Sequence, residues 1–201
     1  MEALQKLLMH ELSDLYDAEQ QIVKALPKLI QNASSTQLQQ ALKEHLAVTQ
    51  KQVERLDEAF SALGEEREQQ KCKGMAGLIA EGEDMLKEDF EDSTQDAGII
   101  GAAQRVEHYE IAAYGTARTL AQTLGNREVA DLLEETLEEE KEADQLLTEI
   151  AESSINSEAA SEEERSGNAR SRAAQRSRPG NSSRAKSRTT RRRRDKAKAR
   201  R

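Results

Sequence analysis

The chain holds no Trp, one Cys, two Pro and five aromatic residues in all among its 201 positions. A single thiol, Cys72, excludes an internal disulfide. No run of 18 apolar residues occurs, which excludes an apolar membrane-spanning helix. The opening residues MEALQKLLMHEL have the acids and spacing of an amphipathic helix and lack the basic and apolar regions of a signal sequence, so a reducing cytoplasm is the expected compartment. No alternating β-branched run competes with helix anywhere.

Charge, by contrast, is plentiful and unevenly placed. Residues 166–201 hold 15 of the 30 Lys and Arg and one acid, Asp195, a net charge of +14. The remaining 165 residues carry 15 basic and 37 acidic groups, or −22. The apolar residues are concentrated before Ile155, so the chain divides into a helical domain, 1–153, and a tail, 154–201, that is strongly basic from 166. The tail cannot bury enough apolar surface to fold alone and is read as disordered.

Leu4, Leu8, Leu12, Leu15, Ile22, Leu26 and Ile30 recur at three- and four-residue steps and predict a helix over about residues 3–30. Pro27 is expected to kink it or end it early. Ser34 with Gln37 fits a capping box before a second helix through Leu38, Leu42, Leu56 and Phe60, which Gly64 is placed to terminate. Residues 65–95 read as a long crossover containing a short helix around Met75, Leu78, Ile79 and Met85. Asp96 can cap a third long helix ending before Gly125, and Asn126 can start a fourth. Four long helices with a long middle connection describe an all-α, ferritin-like four-helix bundle.

The decisive question is what shares a face with each acid. At about 100° per residue, Ile100, Ala103, Ile111 and Tyr114 all fall within roughly 40° of Glu107, and Glu110 lies about 60° away. Glu107 is therefore central to the apolar stripe. The same rotation centres Glu19 on the first helix and Glu140 on the fourth, with Asp144 about 40° from Glu140. On the second helix the centre is Thr49, flanked by His45 and Gln52, so that helix offers an imidazole and neutral oxygens.

One inward acid would merely reach the surface or pair with an Arg. Acids on three helices converge, and the main inward base is Arg118. Several ionised carboxylates in one interior would each cost several kcal/mol and repel one another, so they must take up protons, admit water or bind cations. Oxygen-rich sites with an imidazole suit iron or manganese. Glu19, His45, Glu107, Glu110, Glu140 and Asp144 are accordingly the candidate ligands for one or two Fe or Mn ions. His45 serves equally well as a core histidine bonded to a carboxylate, and His108 lies to the side as an outer or subunit-interface residue. Tyr16 and Tyr114 face inward near the acids, where a phenol can hydrogen-bond a carboxylate, although core packing is the simpler role for each. Cys72 lies between Lys71 and Lys73, an arrangement that can lower a thiol pKa.

The segments SDLYDAEQQIVKALPKL (13–29), GMAGLIAEG (74–82), AAQRVEHYEIAAYGT (102–116) and LEETLEEEKEAD (133–144) resemble the YciE/YciF family of ferritin-like bacterial stress proteins over residues 3–152. The resemblance implies a cytoplasmic, dimeric four-helix protein linked to stress responses and related in architecture to rubrerythrin and ferritin. It also implies a ligand pattern of one Glu on the first helix, ExxH on the second, ExxE on the third and ExxH on the fourth. Glu19, the pair Glu107 and Glu110, and Glu140 match it, whereas Ala143 stands where the last His belongs, next to Asp144. Where relatives show acids after an HL dipeptide, this chain reads His45-Leu46-Ala47-Val48-Thr49. A single-ion or asymmetric centre is the expected result.

The tail, ending RTTRRRRDKAKARR, suits nonspecific, salt-dependent contact with nucleic acid through groups such as Arg191, Arg192, Arg193 and Arg194. Two functions follow as expectations: an iron- or manganese-binding stress protein acting against peroxide or oxygen, or a metal-poor helical homodimer whose basic tail binds nucleic acid.

Overall fold

In the computed structural model, which describes residues 3–165, five helices form: α1 (Ala3–Asn32), α2 (Thr36–Leu63), α3 (Lys73–Met85), α4 (Asp92–Thr123) and α5 (Arg127–Ile150). α1 packs on α2 and α4, and α5 closes the square against the same two helices. The long connection carries α3 across the bundle, where it packs on α4 and α1. This is the ferritin-like four-helix arrangement. Among the described residues no helix is long and apolar enough to cross a membrane.

The helix ends show how local chemistry sets the frame. Gly64 closes α2 with φ 65°, and Gly125 ends the α4 turn with φ 78°, conformations that a side chain would strain. α2 is capped by Ser35, not Ser34, its Oγ accepting from Leu38 N. Ser34 is engaged elsewhere. Asp96 accepts from Ser34 N, Ser34 Oγ and Ser35 N at 2.7–2.8 Å, so it is not the cap of α4, which begins four residues earlier at Asp92. The carboxylate of Asp96 thus ties the α1–α2 turn to α4. Pro27 neither ends nor replaces α1, which runs on to Asn32. Its ring faces solvent while Leu26, Leu29 and Ile30 pack inward, and this burial outweighs the missing backbone hydrogen bond.

Helix also passes the boundary expected at 153. A π turn, Ala151–Ile155, follows α5, and residues 156–165 continue as helix. Ile155 is buried in the core, and Glu162 accepts from both Ser93 N and Ser93 Oγ at the exposed start of α4. The basic segment from 166, with Arg191 to Arg194, lies outside the described residues.

The apolar core has two clusters. One contains Leu8, Leu12, Leu15, Leu56, Phe60, Tyr114, Leu133 and Leu137; the other contains Ile22, Leu26, Leu38, Leu42, Ile99, Ile100, Leu147 and Ile150. On every long helix the residues between the two sets are polar and buried: Glu19 on α1, Thr49 and Gln52 on α2, Glu107 and Glu110 on α4, Glu140 on α5. A polar layer therefore divides the core across the middle of the bundle.

Candidate metal centre

Four side chains of this layer converge. His45, Glu107, Glu110 and Glu140 each place one donor atom within 4.8 Å of the others. The acids are sealed from solvent, with exposures of 2%, 1% and 0% for Glu107, Glu110 and Glu140. Each of the four carries a buried atom without a hydrogen-bond partner: His45 Nε2, Glu107 Oε2, Glu110 Oε1 and Glu140 Oε2. Orphaned buried acceptors at this density are unusual in a folded protein. Three carboxylates and one imidazole, held together with one unsatisfied atom on each, fit a divalent iron or manganese ion.

The electrostatics point the same way. Burial, reinforced by a hydrogen bond to Glu140 and its charge, raises the Glu107 pKa well above the ordinary carboxylate range. Burial and the charges of Glu19 and Glu140 do the same to Glu110. Burial pushes the His45 pKa down despite Glu140 and Glu139 nearby, and His45 Nε2 lies 3.4 Å from Glu107 Oε1. Without a cation, protons keep the cluster tolerable. A cation would displace them.

The remaining sequence candidates divide. Glu19 is fully buried beside the four, accepts from Tyr114 Oη at 2.5 Å, and has its pKa raised to about 8 by burial and then by the charge of Glu140. Tyr114 therefore does more than fill the core. Gln52 donates through Nε2 to Glu140 and, at 3.0 Å, to Glu139, while its Oε1 is buried without a partner. Thr49 uses its hydroxyl on its own helix, donating to His45 O at 2.9 Å. Asp144 stands outside the four: it is partly exposed, accepts from Gln104 at 3.0 Å, and lies 3.4 Å from the exposed His108. Tyr16 is also away from the acids. It packs on the cluster of Leu8 and Leu12, with the Arg67 guanidinium 3.6 Å above its ring.

Cys72 corrects another expectation. Its thiol is buried at the start of α3, and burial and Asp14 push its pKa up, opposite to the effect inferred from the flanking lysines. Its Sγ lies 3.0 Å from Tyr109 Oη, which donates to Asp14 at 2.7 Å. Gly74 makes this docking feasible, since a Cβ there would stand 2.7 Å from the Tyr109 ring.

Arg55 was not among the residues expected at the layer. Its guanidinium bridges from α2 to α5, donating to Thr136 at 2.7 Å, Glu135 at 2.7 Å and Glu139 at 2.8 Å. Arg55 follows Gln52 by three positions, so the helical face was the available signal. The base neutralises Glu135 and Glu139, the acids just outside the cluster.

The family model described as Domain of unknown function (DUF892) matches residues 3–160. Protein YciF of Escherichia coli (strain K12) is 43% identical over 160 residues, covering 79% of this chain and 96% of that protein. This chain belongs to the YciF family. The crystal structure of the E. coli stress protein YciF superposes with a TM-score of 0.75 at 43% identity, covering 78% of this chain and 99% of that one. YcfI from Rhodopseudomonas palustris follows at 0.71 and 44%, covering 74% and 94%. A protein from Xanthomonas campestris, 21% identical with a TM-score of 0.63, shares the fold over 81% of this chain and 99% of its own. Within this YciF-family bundle the polar layer is the one interruption between the two core clusters of the described residues.

Proposed function

We propose that this YciF-family chain is a cytoplasmic, homodimeric stress protein that binds iron or manganese in its polar layer and acts against peroxide or oxygen. The observation that carries the reading is the set of orphaned donor atoms on His45, Glu107, Glu110 and Glu140. The description of E. coli YciF as a stress protein supplies the physiological context. When bound, iron or manganese supplies a redox centre that oxygen or peroxide can oxidise. The chain's own residues do the rest. His45, its pKa pushed down by burial, offers a ring nitrogen, and Glu107, Glu110 and Glu140 offer oxygens, with Glu107 and Glu110 giving up the protons that their raised pKa values favour. Gln52 orients Glu140 by hydrogen bonding, and Tyr114 fixes Glu19 beside the cluster, available to a second ion. The two apolar clusters exclude bulk water on either side.

The experiment is equilibration of metal-free protein with Fe(II) or Mn(II), desalting and metal analysis, alongside Glu107→Gln. Bound ion in the wild type and its loss in the variant support the reading. Equal, trace content in both rejects it.

A second reading draws on the +14 charge of residues 166–201: a metal-poor dimer that binds nucleic acid nonspecifically through the tail. DNA retardation that persists in Glu107→Gln and vanishes when Arg191 to Arg194 are neutralised favours it.

A further inference from the structure

The centre is approached from two sides of the bundle, and the two openings differ in width and in the charge at their mouths. The first lies between α1, α3 and α4 and ends on His45 and Glu107. Leu26, Leu29, Ile79 and Val106 line it, and its cavity volume is about 40 Å³. Near its mouth Lys28 and Glu83 pair at 3.1 Å. A hydrated cation entering here would exchange water for hydrocarbon in a space that holds little more than one or two small molecules, so this passage opposes charge.

The second opening is a cleft between α2 and α5 that ends on the same two residues. Its wall is apolar too, with Leu42, Leu146 and Leu147, but Val48 and Ala143, on the helices that face each other there, are short. Longer side chains at these positions would fill the space. Its rim carries Glu44, Glu139 and Glu142. Glu139 is taken up by Arg55 and Gln52, while exposed Glu142 and Glu44, the latter accepting from Gln40 at 2.7 Å, keep their negative charge toward an approaching ion. At the inner end His45 Nε2 and Glu107 Oε2 are buried and have no hydrogen-bond partner. An acidic rim on low-dielectric walls focuses cations toward such a terminus.

We infer that the α2–α5 cleft is the port by which a hydrated divalent cation reaches His45 and Glu107, with Val48 and Ala143 keeping it open and Glu44 and Glu142 drawing the ion in. The inference rests on the metal-binding reading above. It adds that the ion and a small neutral molecule arrive by different sides of the bundle, the cation between α2 and α5 and the neutral molecule beneath α3.

The test is the rate of Co(II) uptake by the metal-free full chain, followed by stopped-flow absorption, with release measured by chelator chase. Ala143→Leu narrows the cleft; the double variant Glu44→Gln/Glu142→Gln removes rim charge at two exposed positions that tolerate change; Ala102→Leu narrows the apolar passage and serves as the control. The port predicts that Ala143→Leu slows uptake and release together, on the order of fivefold or more, with final stoichiometry unchanged. It predicts that the double variant slows uptake about tenfold at low ionic strength, a deficit that closes near about 0.5 M salt. Ala102→Leu keeps the wild-type rate. Wild-type uptake rates in both cleft variants overturn the port, whatever Ala102→Leu does. A wild type that takes up no Co(II) rejects the metal-binding reading itself, and the port with it.

Discussion

Tyr114 on α4 donates its phenolic proton to Glu19 on α1 at 2.5 Å, with both side chains fully sealed from solvent. The bond crosses the bundle at the boundary between an apolar cluster and the polar layer. Its loss in Tyr114→Phe leaves a buried oxygen unsatisfied, and the variant is expected to lose about 1–3 kcal/mol of stability in urea denaturation of the metal-free protein.

The pH dependence of the metal-free protein has a defined sign. Burial and then the charge of Glu140 raise Glu19 from 4.5 to about 8, and Glu107 and Glu110 are raised as well. Between 4.5 and about 8 the native state binds more protons than the unfolded state, so this contribution to stability is lost as pH rises through that range. His45 acts oppositely, because its lowered pKa favours the native state only above the ordinary value of 6.5. Above 6.5 the His45 effect is complete, and only the carboxylates change. The thermal midpoint of metal-free protein should therefore fall from pH 6.5 to pH 8, and Mn(II) should flatten that fall.

Glu107→Gln separates stability from binding. Removing one of several crowded acids is expected to raise the stability of metal-free protein at pH 8 by about 0.5–2 kcal/mol, while abolishing the rise in thermal midpoint on adding Mn(II). Differential scanning calorimetry with and without the ion reads both effects.

The polar layer was legible in the sequence because a 3.6-residue period places Glu19, Glu107 and Glu140 at the centres of apolar stripes, and no tertiary knowledge is needed for that. Rotation about one helix gives the face but not the partners. Asp144 shares the face of Glu140, yet Gln104 on the neighbouring helix holds it outside. Tyr16 points inward by angle, but Arg67 from the crossover covers it. Asp96 had the composition of a cap, and only the return of α4 past the α1–α2 turn shows that it binds Ser34 and Ser35 instead. Arg55 reaches across to α5, a contact between residues about 80 positions apart that local pattern does not encode.

The extension beyond residue 153 offers its own check. Ile155 is buried on the second core cluster, so Ile155→Ala is expected to cost about 2–5 kcal/mol, far more than a substitution in a disordered tail. Chemical denaturation measures it.

If the basic tail contacts nucleic acid, replacing Arg191, Arg192, Arg193 and Arg194 with Gln should reduce the salt slope of DNA binding by about three to four, with no preference among sequences gained or lost. Fluorescence anisotropy across a salt series gives the slope.

Whether His45, Glu107, Glu110 and Glu140 hold a metal ion is read from metal content after equilibrating metal-free wild type and Glu107→Gln with Fe(II) or Mn(II). Roughly one to two ions per chain are expected in the wild type, with a large loss in the variant. Less than about a tenth of an equivalent in the wild type, under conditions that load a related di-iron bundle, would contradict metal binding.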